Sequence, residues 1–467
     1  MKGGHALESA PTIIAELEDY IKGQALTISK FAGLSGMNSG TLSNVINGHR
    51  PIAVQQLDRI TETMGQTEGY FYDLYIDNYI INAAADWRRI SPLLKRCAEL
   101  GKLGSLERVV QHIMDNLIYL PLLFDMAEEL FHQDRLAAAA IIYASVAEGE
   151  RLQHSERLAL CKYRLFILGL SDNQEANLHA ANQFEPYVER LDEADQLDAL
   201  KHLADVFASL HRWDKTEELA ERLGSKARLQ YKYLKKAAYK QPVRPLIYYI
   251  LYAYLIQAGV SDERGDYAKA LHYTSLYANM DWIKAGPSAE EQRVMDLFKE
   301  WATANTYLYR VMDGQADVLP EYVQYVESRE NEIFPALFKI IQAANRYRFN
   351  VDDILERFHS YISFRQQHST LGRYNLQLTN DRYANFSIEL AVYHLRANRL
   401  DTGLDYLLES LDMAVNIKSD SCIVRCVALF EKYRISASPR HIELYTNRIS
   451  EVQRINEEKY NCIRVNG

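Results

Sequence analysis

Apolar residues along this chain recur at intervals of three and four, the period of a helix that buries one face. Few stretches alternate apolar and polar for long. Ile14, Leu17 and Ile21 form the stripe of a first predicted helix; Phe31 and Ala32 belong to a second, and Met37, Leu42 and Val45 to a third. Ala53, Leu57, Ile60 and Met64 repeat at 4, 3 and 4, a predicted helix stopped by Gly65. A fifth helix is predicted over residues 70–81, with Phe71, Leu74 and Tyr75 inward. The pattern therefore predicts a compact five-helix domain over residues 1–80.

Residues 81–467 read as helical hairpins in series. Two units are clearest, Gly265-Asp-Tyr-Ala-Lys-Ala-Leu-His-Tyr273 and Asn398-Arg-Leu-Asp-Thr-Gly-Leu-Asp-Tyr406, each after an apolar helix (residues 246–259 and 388–397). In each a large residue, Tyr267 or Leu400, plugs the hairpin. A small one three later, Ala270 or Gly403, lets the helices close up. Weaker copies stand at Leu136/Ala139 and Trp213/Thr216, and another near Asn177/Ala180. Residues 439–460 predict a final amphipathic helix with Ile442, Tyr445, Ile449, Val452 and Ile455 inward; it would cap the array or pair with a second copy.

Composition sharpens this picture. With 21 Gly and 11 Pro in 467 residues, connections are short and no Gly- or Pro-rich linker follows residue 80. The 32 tyrosines suit helix–helix gaps, where a ring packs and a hydroxyl reaches a groove wall. No apolar run approaches the ~20 residues of a membrane span. The start, MKGGHALESAP, lacks the apolar centre of a secretory signal. Five scattered cysteines (Cys97, Cys161, Cys422, Cys426, Cys462) fit reduced thiols. A cytoplasmic location follows as an expectation. Cys422 and Cys426 lie four apart, but no second pair completes a metal site, and core packing is expected of them. No phosphate-binding glycine loop, HExxH run or GxSxG elbow occurs. No enzyme activity, metal or cofactor is therefore expected.

The stretch from Leu26 to Arg50, LTISKFAGLSGMNSGTLSNVINGHR, carries the most specific signal. Thr27 and Asn38 are N-cap residues for two short helices, and Gly36 sits at the corner between them. Asn47-Gly48 ends the second helix. Ala32, Gly36, the apolar set Phe31, Met37, Leu42 and Val45, and the ending Asn47-Gly48-His49-Arg50 resemble the phage-repressor (Cro, XRE) type of helix-turn-helix. It departs from that type at Ile28, where the family often has a phosphate-contacting glutamine, and at Ser35, usually apolar. The resemblance implies a lambda-repressor-like DNA-binding domain whose second helix enters the major groove. Ser39, Gly40, Thr41, Ser43 and Asn44 would then face bases, with Asn44 able to read adenine through its carboxamide. Lys30, Asn38, His49 and Arg50 would flank them, the last two at phosphate.

Charge leaves this interface a local matter. The whole chain carries −9, and up to Asp77 five cations stand against nine acids, a net of −4. The alternative is a helix-turn-helix kept only as a packing module. From Asp86, six cations (Arg88, Arg89, Lys95, Arg96, Lys102, Arg108) outnumber Asp86, Glu99 and Glu107. This stretch adds phosphate contacts or is a solvated helix face, the latter preferred. A second basic run, Lys226, Arg228, Lys232, Lys235, Lys236, Lys240 and Arg244, interleaves Tyr231, Tyr233 and Tyr239. It would meet an acidic peptide or DNA, or be the wet face of a helix.

The hairpin units resemble tetratricopeptide (TPR) repeats, although intervals of 77 and 54 between residues 136, 213 and 267 are not multiples of about 34. The resemblance implies a divergent TPR-like α-helical-repeat superhelix with a concave groove suited to an extended peptide. Generic antiparallel helix packing is the alternative. Asn305, Asn345 and Asn385 follow alanines at intervals of 40, and a carboxamide can clamp a peptide bond. Tyr307, Tyr347 and Tyr383 are near in sequence. Arg310, Arg346 and Arg348 offer carboxylate contacts. Helix-end asparagine is the competing explanation, and Asn350 and Asn398 are expected to be of that type.

A phage-repressor helix-turn-helix before a TPR-like array resembles the RRNPP family of peptide-responsive regulators, including the arbitrium receptors of phages. That resemblance implies a homodimer binding a double-stranded DNA operator. A short linear signalling peptide would sit in the repeats, as in quorum sensing or phage communication, and change DNA affinity by shifting populations. The rival is a helical-repeat adaptor whose helix-turn-helix grips a protein and binds no DNA.

Overall fold

The computed structural model describes residues 12–465 apart from 115, 154, 172, 234–239, 284–285, 363–375 and 418. Lys2, Lys235, Lys236, Tyr239 and the side chains of Ile455 and Cys462 lie outside the described residues. Every regular element among those described is helical. Two compact units divide the chain, residues 1–170 with 179–192, and 171–178 with 193–467.

The first unit opens with α1 (Ile13–Gly23), α2 (Ile28–Leu34), α3 (Ser39–Ile46), α4 (Val54–Thr63) and α5 (Tyr72–Tyr75). It continues with α6 (Trp87–Glu99), α7 (Leu103–Ile113), α8 (Leu120–His132), α9 (Leu136–Gly149) and α10 (Glu156–Gly169). One apolar core runs from Ile13 to Cys161, so burial is continuous across residue 80. Leu17, Ile21, Leu57 and Ile60 are buried as expected, and only the first position of each of these two stripes differs by one residue. Thr12 caps α1, and Ile13 rather than Ile14 is fully buried. Ala53 lies outside α4 as its N-cap, its N–H donating to Gln56 Oε1 at 3.1 Å, and Val54 takes the core position. The single helix expected over residues 70–81 is instead α5 followed by a π-helical stretch, Ile76–Ile81. Tyr75 is fully buried there and donates to the Ile52 carbonyl at 2.7 Å, anchoring the stretch to the loop before α4.

The chain crosses between the units after residue 170, within α11 (Gln174–Phe184) and after residue 192. Helix pairs then follow: α12 (Glu193–Ser209) with α13 (Trp213–Tyr233), α14 (Leu246–Glu263) with α15 (Tyr267–Ala278), and α16 (Ala289–Met312) with α17 (Leu319–Glu327). The series continues with α18 (Glu330–Tyr347) and α19 (Asp352–Arg357), α20 (Leu376–Arg396) and α21 (Leu400–Asn416), and α22 (Asp420–Tyr433) and α23 (Pro439–Val465). The first helices of successive pairs also touch: α14 meets α16, α16 meets α18, α18 meets α20, and α20 meets α22.

The turns share one device in both units. Asp134, His211, Gly265, Gly314, Arg348 and Asn398 all have φ between +54° and +94°. At five of these turns the N–H three residues past the helix reaches back five positions: Arg135 to Leu130, Arg212 to Phe207, Asp266 to Ser261 and Arg399 to His394, all at 2.9 Å, and Gln315 to Arg310 at 3.0 Å. This is the Schellman closure, which satisfies carbonyls that the helix end leaves free. Ala139, Thr216 and Ala270 are at most 1 % exposed, as expected of the close-approach positions. The unit predicted near Asn177 closes differently. Its side chain accepts from Ser171 N–H at 2.9 Å and donates to Ser171 O at 2.8 Å.

At Gly403 an added Cβ would lie 2.6 Å from Leu395 Cγ and 3.0 Å from Leu395 N, which is backbone and has no room to yield. Gly403→Ala is expected to cost about 2 kcal/mol by overpacking, read as a lower urea midpoint. An unchanged midpoint would show that α20 and α21 separate at no cost.

In α23, Tyr445 stacks flat on Phe430 with centroids 3.9 Å apart, while Ile442, Ile449 and Val452 are half-buried. His441 was not on the expected stripe, yet it is 2 % exposed, with Ser438 Oγ at 2.8 Å from Nδ1 and Asp405 at 3.2 Å from Nε2. Cys422 and Cys426 pack in this core, and burial pushes the Cys426 thiol up to about 11.

Candidate functional site

The α2–α3 corner is built from local chemistry. Thr27 Oγ1 accepts from Lys30 N–H at 3.2 Å, and Asn38 Oδ1 accepts from Gly40 and Thr41 N–H at 2.9 and 3.2 Å. Gly36 turns the chain at φ +61°, and Arg59 Nη1 from α4 donates to its carbonyl at 3.1 Å. Behind the corner Phe31, Ala32, Met37, Leu42 and Val45 are buried. Ser35 is only 6 % exposed although polar; its hydroxyl can donate to the Phe31 or Ala32 carbonyl, at 2.9 and 3.2 Å. A hydroxyl is thus accommodated where an apolar residue is usual.

The opposite side of α3 carries the predicted contact residues. Ser39, Gly40 and Asn44 are exposed, Thr41 and Ser43 half-buried. Asn47 Nδ2 donates to Ser43 Oγ at 3.3 Å, whereas the Asn44 carboxamide makes no hydrogen bond among the described residues. The Asn44 carbonyl accepts from both His49 and Arg50 N–H, at 2.9 and 3.2 Å, and so fixes the loop carrying those side chains. Lys30, Asn38, His49 and Arg50 are all exposed.

The basic stretch after Asp86 is turned to internal pairing. Arg96 reaches Asp58 at 3.0 Å, Glu99 at 2.6 Å and Glu68 at 3.7 Å. Arg108 reaches Asp77 at 2.6 Å and Asp73 at 3.3 Å. Lys95 meets Glu129 at 2.7 Å. Arg96 and Arg108 thus offset Asp58, Glu68, Asp73 and Asp77 of the N-terminal segment, while Lys95 pairs with Glu129 of α8.

In the second unit the three predicted asparagines fall on first helices, α16, α18 and α20. Asn345 is 8 % exposed, and its Nδ2 donates to the Glu389 carbonyl at 2.8 Å and to Glu389 Oε2 at 2.9 Å. Arg425 on α22 donates to Glu389 Oε1 at 2.8 Å and to Asn385 Oδ1 at 2.7 Å. Asn345, Glu389, Asn385 and Arg425 therefore form one polar ladder across α18, α20 and α22. Both Nδ2 partners of Asn345 are acceptors, so its orientation is fixed. Its Oδ1 is left buried with no donor among the described residues. Arg425 continues the interval of 40 from Asn385, a signal the sequence contained beyond the asparagines themselves.

The other predicted residues belong to separate contacts. Asn305 Nδ2 donates to the buried Tyr277 hydroxyl at 2.8 Å. Tyr307 stacks near Tyr322 and Tyr325. Arg310 Nε holds Gln315 Oε1 at 2.8 Å across the α16–α17 turn. Arg346 donates to Tyr267 Oη at 3.0 Å beside that ring, while Arg348 is itself a left-handed turn residue. Tyr383 donates to the Ile362 carbonyl at 2.9 Å, and Tyr347 to the Met312 carbonyl at 3.0 Å. Asn350 lies one residue before Val351, the N-cap of α19, its Oδ1 accepting from Asp352 N–H at 2.9 Å, and Asn398 is the left-handed residue of the turn after α20. No helix among the described residues is long and apolar enough to cross a membrane.

Comparison with protein-family models and with curated proteins finds no match to the chain.

Proposed function

We propose that this chain is a DNA-binding transcriptional regulator controlled by a short signalling peptide. In this view α2 and α3 are the two helices of a lambda-repressor-like helix-turn-helix, and the pairs from α12 to α23 are a TPR-like array. The protein works in the cytoplasm as a homodimer, so that two copies of α3 meet two operator half-sites. The observation that carries the proposal is the edge of α3: Ser39, Gly40 and Asn44 exposed on a helix whose other face is fixed in the core, with the Asn44 carboxamide uncommitted. For the peptide, support comes from the ladder on successive first helices and from the buried Asn345 Oδ1, an acceptor suited to a backbone N–H.

The test is footprinting of the full chain on DNA upstream of its own gene, over a range of salt, with and without peptides encoded by neighbouring small reading frames. A protected site whose affinity falls steeply with salt and shifts with one such peptide is expected. Retention by a protein partner alone, with no protected site, would favour the adaptor instead. Asn305→Ala combined with Asn345→Ala is expected to weaken that peptide by about tenfold or more, the equivalent of one to two hydrogen bonds. Unchanged peptide affinity in titration calorimetry would remove these two residues from the site.

A further inference from the structure

The second basic run separates into unrelated contacts. Lys240 pairs with Asp195, Lys232 lies 5.1 Å from the Tyr233 ring centre, and Arg244 lies 6.0 Å from that of Tyr248. Arg228 does something else. It lines a cleft of about 330 Å³ between α13, α14 and α15, together with Glu221, Ser225, Tyr254, Gln257 and Tyr273.

Four observations distinguish this cleft. First, Arg228 donates to Tyr254 Oη and Ser225 Oγ, both at 3.3 Å, and no carboxylate pairs with it among the described residues. Second, Gln257 on the floor is 8 % exposed, and its carboxamide makes no hydrogen bond among those residues. Third, Glu221 stands two turns before Arg228 on the same face of α13, about 10 Å along the axis, and forms no ion pair among the described residues. Fourth, the Tyr254 and Tyr273 rings lie 6.5 Å apart at 26°, forming an aromatic wall. The frame is held at one end, where Arg264 reaches Glu217 at 2.5 Å and Asp214 at 2.6 Å, and Lys269 reaches Glu217 at 3.0 Å. At Gly224 the helices come close enough that an added Cβ would lie 3.0 Å from Ala253 Cβ and 3.1 Å from Arg228 Nη1.

We propose that the cleft binds a small zwitterion of the free α-amino-acid class. The guanidinium takes the carboxylate in a forked contact, and Glu221 faces the ammonium. Gln257 supplies a donor and an acceptor at the floor, and the tyrosine wall packs against the ligand's side chain. A plain anion fits less well, because Glu221 repels it. A nucleotide or other polyanion fits less well still, with one cation in a space of this size. The site uses none of the α3 or asparagine-ladder residues, so it stands or falls apart from the regulatory proposal.

Titration calorimetry of the full-length chain with each common amino acid, acetate and ethylamine tests it. At least one amino acid is expected to bind with Kd below about 1 mM, with acetate and ethylamine about tenfold weaker or more. Arg228→Gln should weaken that amino acid by about tenfold or more, and Glu221→Gln should narrow its advantage over the matching plain carboxylate. Both positions are exposed, so the variants keep the fold, which circular dichroism checks. Absence of binding by every compound at millimolar concentration, or binding indifferent to both substitutions, would overturn the proposal.

Discussion

Replacing Arg164 by methionine is expected to destabilise the first unit by about 3 kcal/mol, the lower end for breaking a buried ion pair. Arg164 grips Glu128 through two bonds, Nε to Oε1 at 3.0 Å and Nη2 to Oε2 at 2.9 Å, between α10 and α8. Tyr143 from α9 donates to the same carboxylate at 2.5 Å, and the guanidinium lies 4.6 Å from the Phe131 ring centre. Both charged side chains are about four-fifths buried, at 19 % and 22 % exposure. Without Arg164 the carboxylate keeps one donor and little water. Methionine preserves most of the packing, so the loss reports the stranded charge. Replacing Glu128 by leucine in the same chain should recover much of the stability, because the cost lies in the unpaired ion.

The same pair sets a pH dependence with a definite sign. Burial pushes the Glu128 carboxyl up, but the Arg164 and Tyr143 hydrogen bonds and the Arg164 charge outweigh it and hold it below its ordinary value of 4.5. A carboxyl depressed in the folded state stabilises above its unfolded value, and that contribution disappears as pH falls through the folded value. The gap between wild type and Arg164→Met in urea midpoint is therefore expected to be full at pH 7 and to shrink below pH 4.5. A gap that widens in acid would mean that Glu128 is not the partner that matters.

What the sequence disclosed follows the range of the interactions involved. Caps and turns act within five or six residues, and Thr27, Asn38, Gly36 and Gly65 were legible from them. The first core position slipped by one residue at Ile13 and Val54, because each has an apolar or small neighbour, Ile14 or Ala53, that fits the same stripe. The π-helical winding of residues 76–81 carries no glycine or proline to announce it. Its anchor is the bond from Tyr75 to Ile52, 23 residues away. The asparagine interval of 40 located successive first helices, but Glu389 was invisible because its partners sit 36 and 44 residues off. Charge was misleading in isolation. Only the fold shows that Arg96 and Arg108 stand against Asp58, Asp73 and Asp77 rather than against a ligand.

Asn44→Ala is expected to reduce operator affinity by about 1–3 kcal/mol, roughly fivefold to 150-fold, while leaving non-specific DNA binding unchanged. Its carboxamide is exposed and uncommitted within the fold, so removing it costs no internal bond, and thermal stability should be preserved. Alanine also favours the helix that carries it. Arg50 provides the contrast. If it meets phosphate, Arg50→Gln should weaken every DNA sequence alike and lower the slope of affinity against salt by about one. Gel-shift titrations of both variants on operator and scrambled DNA, at three salt concentrations, separate the two signatures. Asn38→Ala would be a poor probe, since Asn38 caps α3 and its loss disturbs the helix itself. Should Asn44→Ala and Arg50→Gln both bind operator as tightly as the natural chain, the exposed edge of α3 is not the reading surface. The same residues would then be available to a protein partner.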